Sequence, residues 1–585
     1  MVPFLPLIHT TMSWLRTQTS LKTIQSGYPQ LLRCFMSSES SATEIARRTA
    51  NFMPTIWDPD RIQSIRSDFK MQEEEYISRT EALKKQFKAL LRRKTEPIAP
   101  LELIDSIQRL GVGYHFEQDI KVALDTIYSN ADIQQSWSDD LYATSLAFRL
   151  LRQHGYRMSS DVFCRFMDEK GSFEVSLIGD AKGMLSLYEA CHLSVPGEDI
   201  LDKAFTFTSK NLMDLTDRLE PSLSQKVQHA LELPLHWRMV RLEARDYIQV
   251  YEKEKDMIPS LLEFAKLDFN SVQCTHQADL RRMSRWYNDM GFATKLPFAR
   301  DRIVENCLWI IGYLFEPQFS RTREALIKIH CLITAIDDVY DVYGSLDELE
   351  LFTEAVQRWD LNAMEKLPYY MKICYLALYN TTNMISYDIL KEKGWNITNY
   401  LKEVWAGLGK ANMLEAKWFS MGHKPTLEEY LNNSRVSSSV PVLLVHVYFL
   451  IAQSITQEAI DDITTESRLI YWSSMVLRLC NDLVTSPDEI LRGVVPKSIQ
   501  CYMHETGASE EAARKHIKEM IRDAWKKLNA ECLAPSILPK PYVNFVVNLA
   551  RMAHCAYSNG DGFTKPDSET REHINRLFIH SIPLD

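Results

Sequence analysis

Glycine is scarce in this sequence: it accounts for 19 of 585 residues, or about 3%, against about 7% in an average protein. Few tight turns can therefore form, and long connected helices account best for the deficit. The eleven cysteines include no C-x-x-C pair and are odd in number. This spacing argues against a zinc site and a disulfide framework, and it favours a reducing compartment.

An excess of positive charge is also missing, because 77 acidic residues outnumber 67 basic ones and the net charge is −10. A nucleic-acid surface needs a basic stripe, so the balance argues against that partner. The longest hydrophobic run, residues 440–452, contains Pro441 and His446 and is shorter than the roughly 20 residues of a membrane span. The sequence predicts a soluble protein without a membrane or nucleic-acid partner.

Acidic residues are missing from the start of the chain, where the first is Glu39. The segment before it is rich in serine and threonine and carries the basic residues Arg16, Lys22 and Arg33. That composition is typical of an organelle transit peptide, and a merely disordered tail is the alternative. We predict a leader over residues 1–46.

Helical periodicity fills the rest of the first half. Between residues 67 and 267, hydrophobic residues recur at intervals of three and four, and no useful stretch alternates as a strand would. The length of the chain suggests two domains. We predict an all-α protein with two helical domains, residues 47–265 and 266–585. The first lacks catalytic motifs and is expected to act as a scaffold and cap.

Three carboxylates end an apolar helix in the second half. Residues 329–336 are almost entirely apolar, and Asp337, Asp338 and Asp341 follow. Asp337 and Asp341 share a helix face, about 6 Å apart at roughly 1.5 Å per residue. Carboxylates at the inner end of a buried helix repel each other unless a cation lies between them, and Mg²⁺ or Mn²⁺ suits oxygen ligands. The alternative is an acidic cluster capping a helix at the surface.

A second row of oxygen ligands favours the metal. Asn481, Thr485 and Glu489 are spaced at i, i+4 and i+8, which puts them on one stripe of a helix. Two such helices facing each other would hold several divalent ions around a shared anion.

These two motifs, D-D-x-x-D and N-D-x-x-T-x-x-x-E, resemble those of the plant terpene synthases, specifically the angiosperm monoterpene branch. The resemblance extends from Arg47 to the C-terminus. It implies a C-terminal class I terpenoid synthase α-bundle, an N-terminal relictual α-barrel and a plastid leader. It also implies about three Mg²⁺ or Mn²⁺ ions per active site, bound by Asp337, Asp341, Asn481, Thr485 and Glu489.

The resemblance also implies how the substrate is bound and enclosed. Arg47 and Arg48 precede Trp57 in the R-R-x8-W pattern of a segment that caps the active site. Arginine suits a diphosphate because its planar fork donates two hydrogen bonds at once. The substrate-binding residues so implied are Arg300, Asp337, Asp341, Arg478, Asn481 and Lys497.

An aromatic wall is expected to stabilise the cation that remains after diphosphate leaves. Trp286 and Tyr557 are its predicted catalytic members, with Tyr287 as a further candidate, and Tyr557 is expected in a lid over the pocket.

Four positions depart from the family pattern: His330, Val440, Val494 and Tyr287. His330 stands where a smaller residue is common. Val440 stands where glycine often marks a helix break, and it is expected either to narrow the pocket or to straighten that break. His330 is expected to face either the cavity or the core.

The leading hypothesis is a carbon–oxygen lyase that converts geranyl diphosphate to a monoterpene, of a cyclic limonene or α-terpineol type or an acyclic linalool or myrcene type. A D-x-D-D motif, which a protonating cyclase would need, is absent from the sequence. The alternatives are a sesquiterpene synthase acting on farnesyl diphosphate and a non-catalytic helical scaffold. A monomer is expected.

Overall fold

The computed structural model describes residues 47–66, 73–92, 98–465, 467–491, 496–558 and 560–584, without the side chains of residues 73, 74 and 486–491. Within these ranges the regular elements are helices, and the β-pairing is one isolated bridge between Met167 and Phe173. The expected all-α fold is therefore confirmed. The predicted leader lies outside the described residues.

The first half consists of short and medium helices. They are α1 (Pro59–Ser64), α2 (Glu73–Leu91), α3 (Ala99–Arg109), α4 (Glu117–Ser129), α5 (Ala131–Ser136), α6 (Leu141–Gln153), α7 (Ala181–Cys191), α8 (Asp199–Leu215), α9 (Pro221–Glu232) and α10 (Val240–Tyr251). The long helix α11 (Pro259–Met290) follows.

The second half contains longer helices. They are α12 (Phe292–Lys295), α13 (Ile303–Tyr313), α14 (Ser320–Asp338), α15 (Leu346–Arg358), α16 (Tyr369–Lys393), α17 (Thr398–Met421), α18 (Leu427–Ser437), α19 (Val440–Ile451), α20 (Gln457–Thr464), α21 (Arg468–Leu491), α22 (Ser498–Thr506), α23 (Glu510–Leu533), α24 (Lys540–Ala556) and α25 (Ser568–Ile574). One-turn π-helices extend α14 over Val339–Tyr343 and α25 over Asn575–Ile579.

Local sequence signals set several helix boundaries. Thr426 caps α18 by accepting the backbone N–H of Glu429, whose side chain accepts from the Thr426 N–H in return. Ser345 and Glu348 form the same reciprocal cap at the start of α15. These caps satisfy backbone donors that an isolated helix end leaves without partners.

A helix break lies beside Val440 although no glycine supplies it, so Val440 does not straighten the chain there. Ser439 adopts a left-handed conformation with φ 63°, and α19 starts at the next residue. Val440 itself is fully buried.

The stretch Leu427–Ile451 is long and apolar enough to span a membrane, but about two thirds of its most apolar 18-residue window (67%) is buried inside the protein. Burial of this kind is also found in core helices.

The predicted boundary at residues 265/266 falls within an unbroken helix. α11 runs for 32 residues from Pro259 to Met290, starts with a proline in its first turn and ends at Gly291, which has φ 68°. Residues 47–585 cluster as one compact unit. The two-domain division at that position therefore stays a prediction.

Aromatic stacking joins the two halves. The Trp237 ring stacks on His554 with centroids 4.8 Å apart and on Trp525 at 5.6 Å. His236 beside it shares a 2.9 Å hydrogen bond with Asn529 of α23. The first half is thereby held against the helices of the second.

Candidate active site

The end of α14 places two carboxylates around one arginine. Arg300 donates from Nη2 to Asp337 at 2.5 Å, and its Nε lies 2.9 Å from Asp338. The Arg300 backbone N–H also donates to Asp338 at 2.7 Å. Asp338 is fully buried, and burial raises the pKa of its carboxyl to about 6 although Arg300 opposes the shift. Asp338 therefore anchors Arg300, while Asp337, whose side chain is 37% exposed, can reach a ligand.

The third aspartate sits on a widened turn. Asp341 is exposed and belongs to the π-helical turn Val339–Tyr343, whereas the sequence predicts a regular α-helix there. Gly344 ends this turn, and a Cβ atom there would lie 2.6 Å from Leu349 and 2.9 Å from the Val339 carbonyl oxygen. Only glycine permits so close an approach of the backbone.

The second motif lies on α21, where its central aspartate is structural. Asp482 is 0% exposed, accepts a 3.0 Å hydrogen bond from Tyr430 and pairs with Arg478 at 3.0 Å. Asp482 thus fixes the helix and orients Arg478. Asn481 and Thr485 lie on a common stripe, with the Thr485 hydroxyl bonded to the Asn481 carbonyl oxygen at 3.1 Å. The side chain of Glu489 lies outside the described residues.

Tyr557 relates the two motifs to each other. The Asn481 side chain, Arg478 and Arg300 all lower the pKa of its hydroxyl. Burial nevertheless raises the pKa of Tyr557. Because one hydroxyl senses the arginine beside Asp337 and the arginine beside Asn481, the end of α14 and the middle of α21 face one space.

An aromatic group lines this space. Trp309 lies 5.8 Å from Tyr557, 5.7 Å from His330 and 6.0 Å from Phe563, measured between ring centroids. The Arg300 guanidinium lies 5.6 Å from the Phe563 ring. The aromatic group therefore directly adjoins the charged residues.

Trp286 lies apart from that group. Its ring is 5.8 Å from the ammonium of Lys328, which lies two residues before His330 and hence on a different face of α14. Tyr287 packs into the core against Phe292 at 5.8 Å. Trp309 was missed because every residue of α13 is buried and most are apolar, so its tryptophan could not be told from a core residue.

His330 faces the aromatic group and is neutral. Its Nδ1 shares a 2.7 Å hydrogen bond with the Asn306 side-chain oxygen. Burial lowers the pKa of His330 to about 4. With Nδ1–H donating to Asn306, Nε2 keeps its lone pair.

The segment before α1 lies against both the metal-motif helix and its neighbours. Arg47 donates to Glu348 at 2.8 Å and to the Tyr343 carbonyl oxygen at 3.1 Å. Arg48 instead lies over the Phe419 ring at 4.4 Å. Trp57 donates from its indole N–H to Glu305 at 2.9 Å. The two arginines thus have different partners, and of the two only Arg47 binds a carboxylate among the described residues.

Arg302 fastens three segments together and was not singled out from the sequence. It is 1% exposed, and its guanidinium donates to the carbonyl oxygens of Met53, Phe563 and Thr564, each at 2.9 Å. It therefore joins the N-terminal segment and the C-terminal loop to the start of α13. Arg300 and Arg302 are separated by one residue and have different roles: Arg300 binds carboxylates, and Arg302 holds the surrounding loops.

Lys497 is 5% exposed and immediately precedes α22. The next residue, Ser498, donates its backbone N–H to Asp482 at 3.3 Å. The same aspartate that orients Arg478 thus anchors the backbone beside Lys497. Asp482, near the middle of α21, thereby places Arg478 and Lys497 on the same side of that helix.

The oxygen donors suit a hard divalent cation. Among the described residues, no group of three or more acidic, histidine or cysteine side chains could by itself hold a metal ion. The donor set is instead divided between carboxylates on α14 and its π-turn and the amide and hydroxyl of α21. Such oxygen ligands, which leave positions for a substrate anion, are typical of Mg²⁺ sites.

Comparison with known proteins agrees with this geometry. Residues 56–231 match the model of the terpene synthase N-terminal domain, and residues 288–527 match that of the terpene synthase metal-binding domain. The chain is 52% identical over 557 residues to (−)-alpha-terpineol synthase of Vitis vinifera, covering 95% of this chain and 94% of that protein. It is 53% identical over 533 residues to the chloroplastic alpha-thujene synthase of Litsea cubeba, covering 91% of each.

Solved structures are similar over nearly the whole chain. A limonene synthase with 2-fluorolinalyl diphosphate is 42% identical with a TM-score of 0.89, and the match covers 92% of this chain and 100% of that one. Isoprene synthase from grey poplar, in complex with three Mg²⁺ ions and dimethylallyl-S-thiolodiphosphate, is 44% identical with a TM-score of 0.83, covering 90% and 99%. Fold, metal-binding domain and sequence agree, and the chain belongs to the terpene synthase family.

Proposed function

We propose that this protein is a plastid monoterpene synthase that ionises geranyl diphosphate and releases a monoterpene. The observation that carries the proposal is the Arg300 guanidinium, which is bound to Asp337 and Asp338 on one side and lies against Phe563 of the aromatic group on the other. A site with these two parts can bind a charged leaving group and shelter a hydrocarbon cation. Relatives named terpineol, thujene and limonene synthases support the ten-carbon substrate, and several carry a chloroplastic name.

Magnesium is the proposed cofactor, with manganese as a substitute, and about three ions are expected from the isoprene synthase complex. The proposed ligands are Asp337, Asp341, Asn481, Thr485 and Glu489. When bound, the ions supply Lewis-acid stabilisation of the departing diphosphate oxygens, worth several kcal/mol.

Three basic side chains are proposed to receive the diphosphate. Arg300 exchanges its bond to Asp337 for the substrate while Asp338 continues to hold it. Arg478, oriented by Asp482, and Lys497 add positive charge from the side of α21. Because these charges are fixed before the reaction, their stabilisation of the leaving group grows as the carbon–oxygen bond breaks.

Trp309 rather than Trp286 is the proposed tryptophan of the aromatic wall. Its ring is within 6.0 Å of the rings of Tyr557, Phe563 and His330. An aromatic face can stabilise a desolvated cation by about 2 kcal/mol. Arg302 acts as a positioning residue, because the segments it joins keep water away from that cation.

His330 is the proposed proton acceptor that ends the reaction. The C–H bond next to the cationic carbon breaks, its electron pair forms the new double bond, and the proton moves to Nε2. A neutral imidazole can do this, and the bond from Nδ1 to Asn306 fixes the ring for it.

His330→Asn is expected to change the ratio of products more than the rate of turnover, because ionisation does not require the imidazole. The measurement is the product profile by gas chromatography and mass spectrometry. His446→Asn is the control: His446 is another buried, neutral histidine, bonded to the Val442 carbonyl oxygen, and its loss should leave the product ratio unchanged. An unaltered profile in His330→Asn would remove the assigned role.

The proposed activity is tested with the full chain, Mg²⁺ and either geranyl or farnesyl diphosphate, followed by identification of volatiles by mass. We expect kcat/KM for geranyl diphosphate to be about tenfold or more above that for farnesyl diphosphate, and chelation by EDTA to abolish turnover. Equal or better use of the fifteen-carbon substrate would identify a sesquiterpene synthase instead. If neither substrate yielded a product, the result would support a non-catalytic scaffold.

The expectation of a monomer is tested by light scattering on the same preparation.

A further inference from the structure

A second cavity, of about 440 Å³, lies between the two halves of the protein. Helix α24 forms one wall, and residues of α3 and α6 together with Leu235 and His236 form the facing walls. None of the described residues that the preceding sections assign to the active site lines it. Its volume falls in the range of small-molecule sites, roughly 300–1,000 Å³.

A polar stripe of α24 runs from the mouth of this cavity to its floor. Lys540, Asn544, Asn548 and Arg551 all line it, at i, i+4, i+8 and i+11. At about 100° per residue these positions fall within an arc of about 80°. Lys540 and Asn544 are exposed, Asn548 is buried and Arg551 is half-buried. The cavity is thus lined by two cations of α24, Lys540 at its exposed end and Arg551 further inside.

The guanidinium at the floor has no charged partner. Arg551 donates from Nε to the His236 carbonyl oxygen at 2.8 Å and from Nη1 to the Asn548 side-chain oxygen at 2.9 Å. Among the residues that the structure describes, none forms an ion pair with it. Burial lowers the pKa of Arg551 to about 10, so it remains charged at neutral pH. A charge that is partly withdrawn from water and has no counter-ion is unfavourable, and a bound anion would offset that cost.

The other arginines that line the cavity are already neutralised by carboxylates. Their ion pairs are Arg109 with Glu243, Arg149 with Asp105, Arg152 with Glu198, and Arg238 with Glu243 and, at 3.9 Å, with Glu189. The absence of a carboxylate beside Arg551 is therefore particular to this residue and is not a general property of the cavity wall.

Lys540, at the entrance of the cavity, carries a second charge without an ion-pair partner among the described residues. Lys540 is the first residue of α24, where the helix dipole is positive, and no ion pair involving it is present in the described part of the chain. A cation at this end of a helix is unfavourable by itself and attracts anions. Lys540 can therefore steer a negatively charged ligand toward Arg551.

We propose that this cavity binds a small phosphate monoester, with the phosphate on Arg551 and Lys540 at the entrance. A phosphate offers the planar guanidinium fork of Arg551 several charged oxygens at once, whereas Lys540, about 16 Å away along α24 at 1.5 Å per residue, acts only by attracting the anion to the entrance. Arg551 has further N–H groups for it, since a guanidinium carries five. Glu316 also lines the cavity, and its buried Oε2 has no hydrogen-bond partner, so it can accept a bond from a hydroxyl of the ligand. Val543 and Val547 supply apolar contact beside it.

The test is calorimetric titration of the full chain with glycerol 3-phosphate and, separately, with inorganic phosphate, in EDTA so that divalent ions do not contribute. We expect one site per chain, with glycerol 3-phosphate bound more tightly because it also carries hydroxyls. Arg551→Gln should weaken its binding about tenfold or more, because a charge-assisted hydrogen bond is lost. No saturable binding of either probe, or an unchanged affinity in Arg551→Gln, would overturn the proposal.

Lys540→Gln tests the site without disturbing the interior, because the side chain is exposed. It should weaken binding about threefold and reduce the salt dependence of the affinity. Lys518→Gln, an exposed lysine on α23, is the matched control and should change neither. Arg300→Gln should also retain binding. Loss of binding in Arg300→Gln with retention in Arg551→Gln would assign the phosphate to the active site and refute the second site, independently of whether the proposed synthase activity holds.

Discussion

Asp337→Ala is expected to reduce turnover of geranyl diphosphate about a thousandfold or more. The substitution removes a proposed metal ligand, and about 4 kcal/mol of lost stabilisation corresponds to that factor in rate. The fold should persist, because Asp337 is 37% exposed and Asp338 keeps its own bonds to Arg300. The measurements are the steady-state rate with Mg²⁺ and the helical circular dichroism of the same sample.

A nearby acidic residue provides the control for this prediction. Asp347 is exposed in the first turn of α15 and lies a few residues after the D-D-x-x-D motif. Asp347→Ala should retain nearly full turnover. If Asp337→Ala retained activity comparable to that control, Asp337 would not be a metal ligand.

Arg302→Met is expected to lower turnover about a hundredfold and to raise the share of alcohol products. Arg302 holds Met53 on one side and Phe563 and Thr564 on the other through three carbonyl oxygens. Without these bonds both segments separate from α13, and small displacements of an active-site enclosure carry rate losses of that order. Water then reaches the cation before a proton is lost, which gives alcohols. The measurements are the product profile and amide hydrogen exchange at residues 52–57 and 560–566.

Hydrogen exchange separates this role from diphosphate binding. If Arg302 bound the leaving group directly, Arg302→Met would reduce the rate without faster exchange in either segment. Arg285→Met, an exposed arginine on α11, should alter neither exchange nor products. Arg302→Lys keeps the charge but cannot reach three carbonyl oxygens at once, so it should behave like the methionine variant.

The charged half of the candidate site follows from sequence spacing. A helix repeats every 3.6 residues, so spacing alone predicts the common stripe of Asn481 and Thr485 on α21, and it predicts a common face for Asp337 and Asp341 only if the helix stays regular. The fold class likewise follows from periodicity. Asp341 lies on a π-helical turn, which contains more residues per turn than an α-helix, so the α-helical spacing could not predict its position.

The aromatic half depends on tertiary packing. Trp286 was singled out because it lies near the arginines in sequence, whereas its ring lies against Lys328. Trp309 lies in a helix that is buried on all sides, so no hydrophobic pattern distinguishes the face toward the active site. The role of Arg302 could not be predicted from the sequence either, because its partners are backbone carbonyl oxygens, which every residue carries.

The unbroken helix α11 limits how chimaeric enzymes can be made from this family. It is about 48 Å long at 1.5 Å per residue, and buried residues such as Phe264 and Phe269 lie on either side of position 265. A recombination junction at that position would join two half-helices whose packing surfaces evolved in different parents. Crossovers before Pro259 or after Gly291 would transfer the helix intact, and libraries built there should yield more folded progeny.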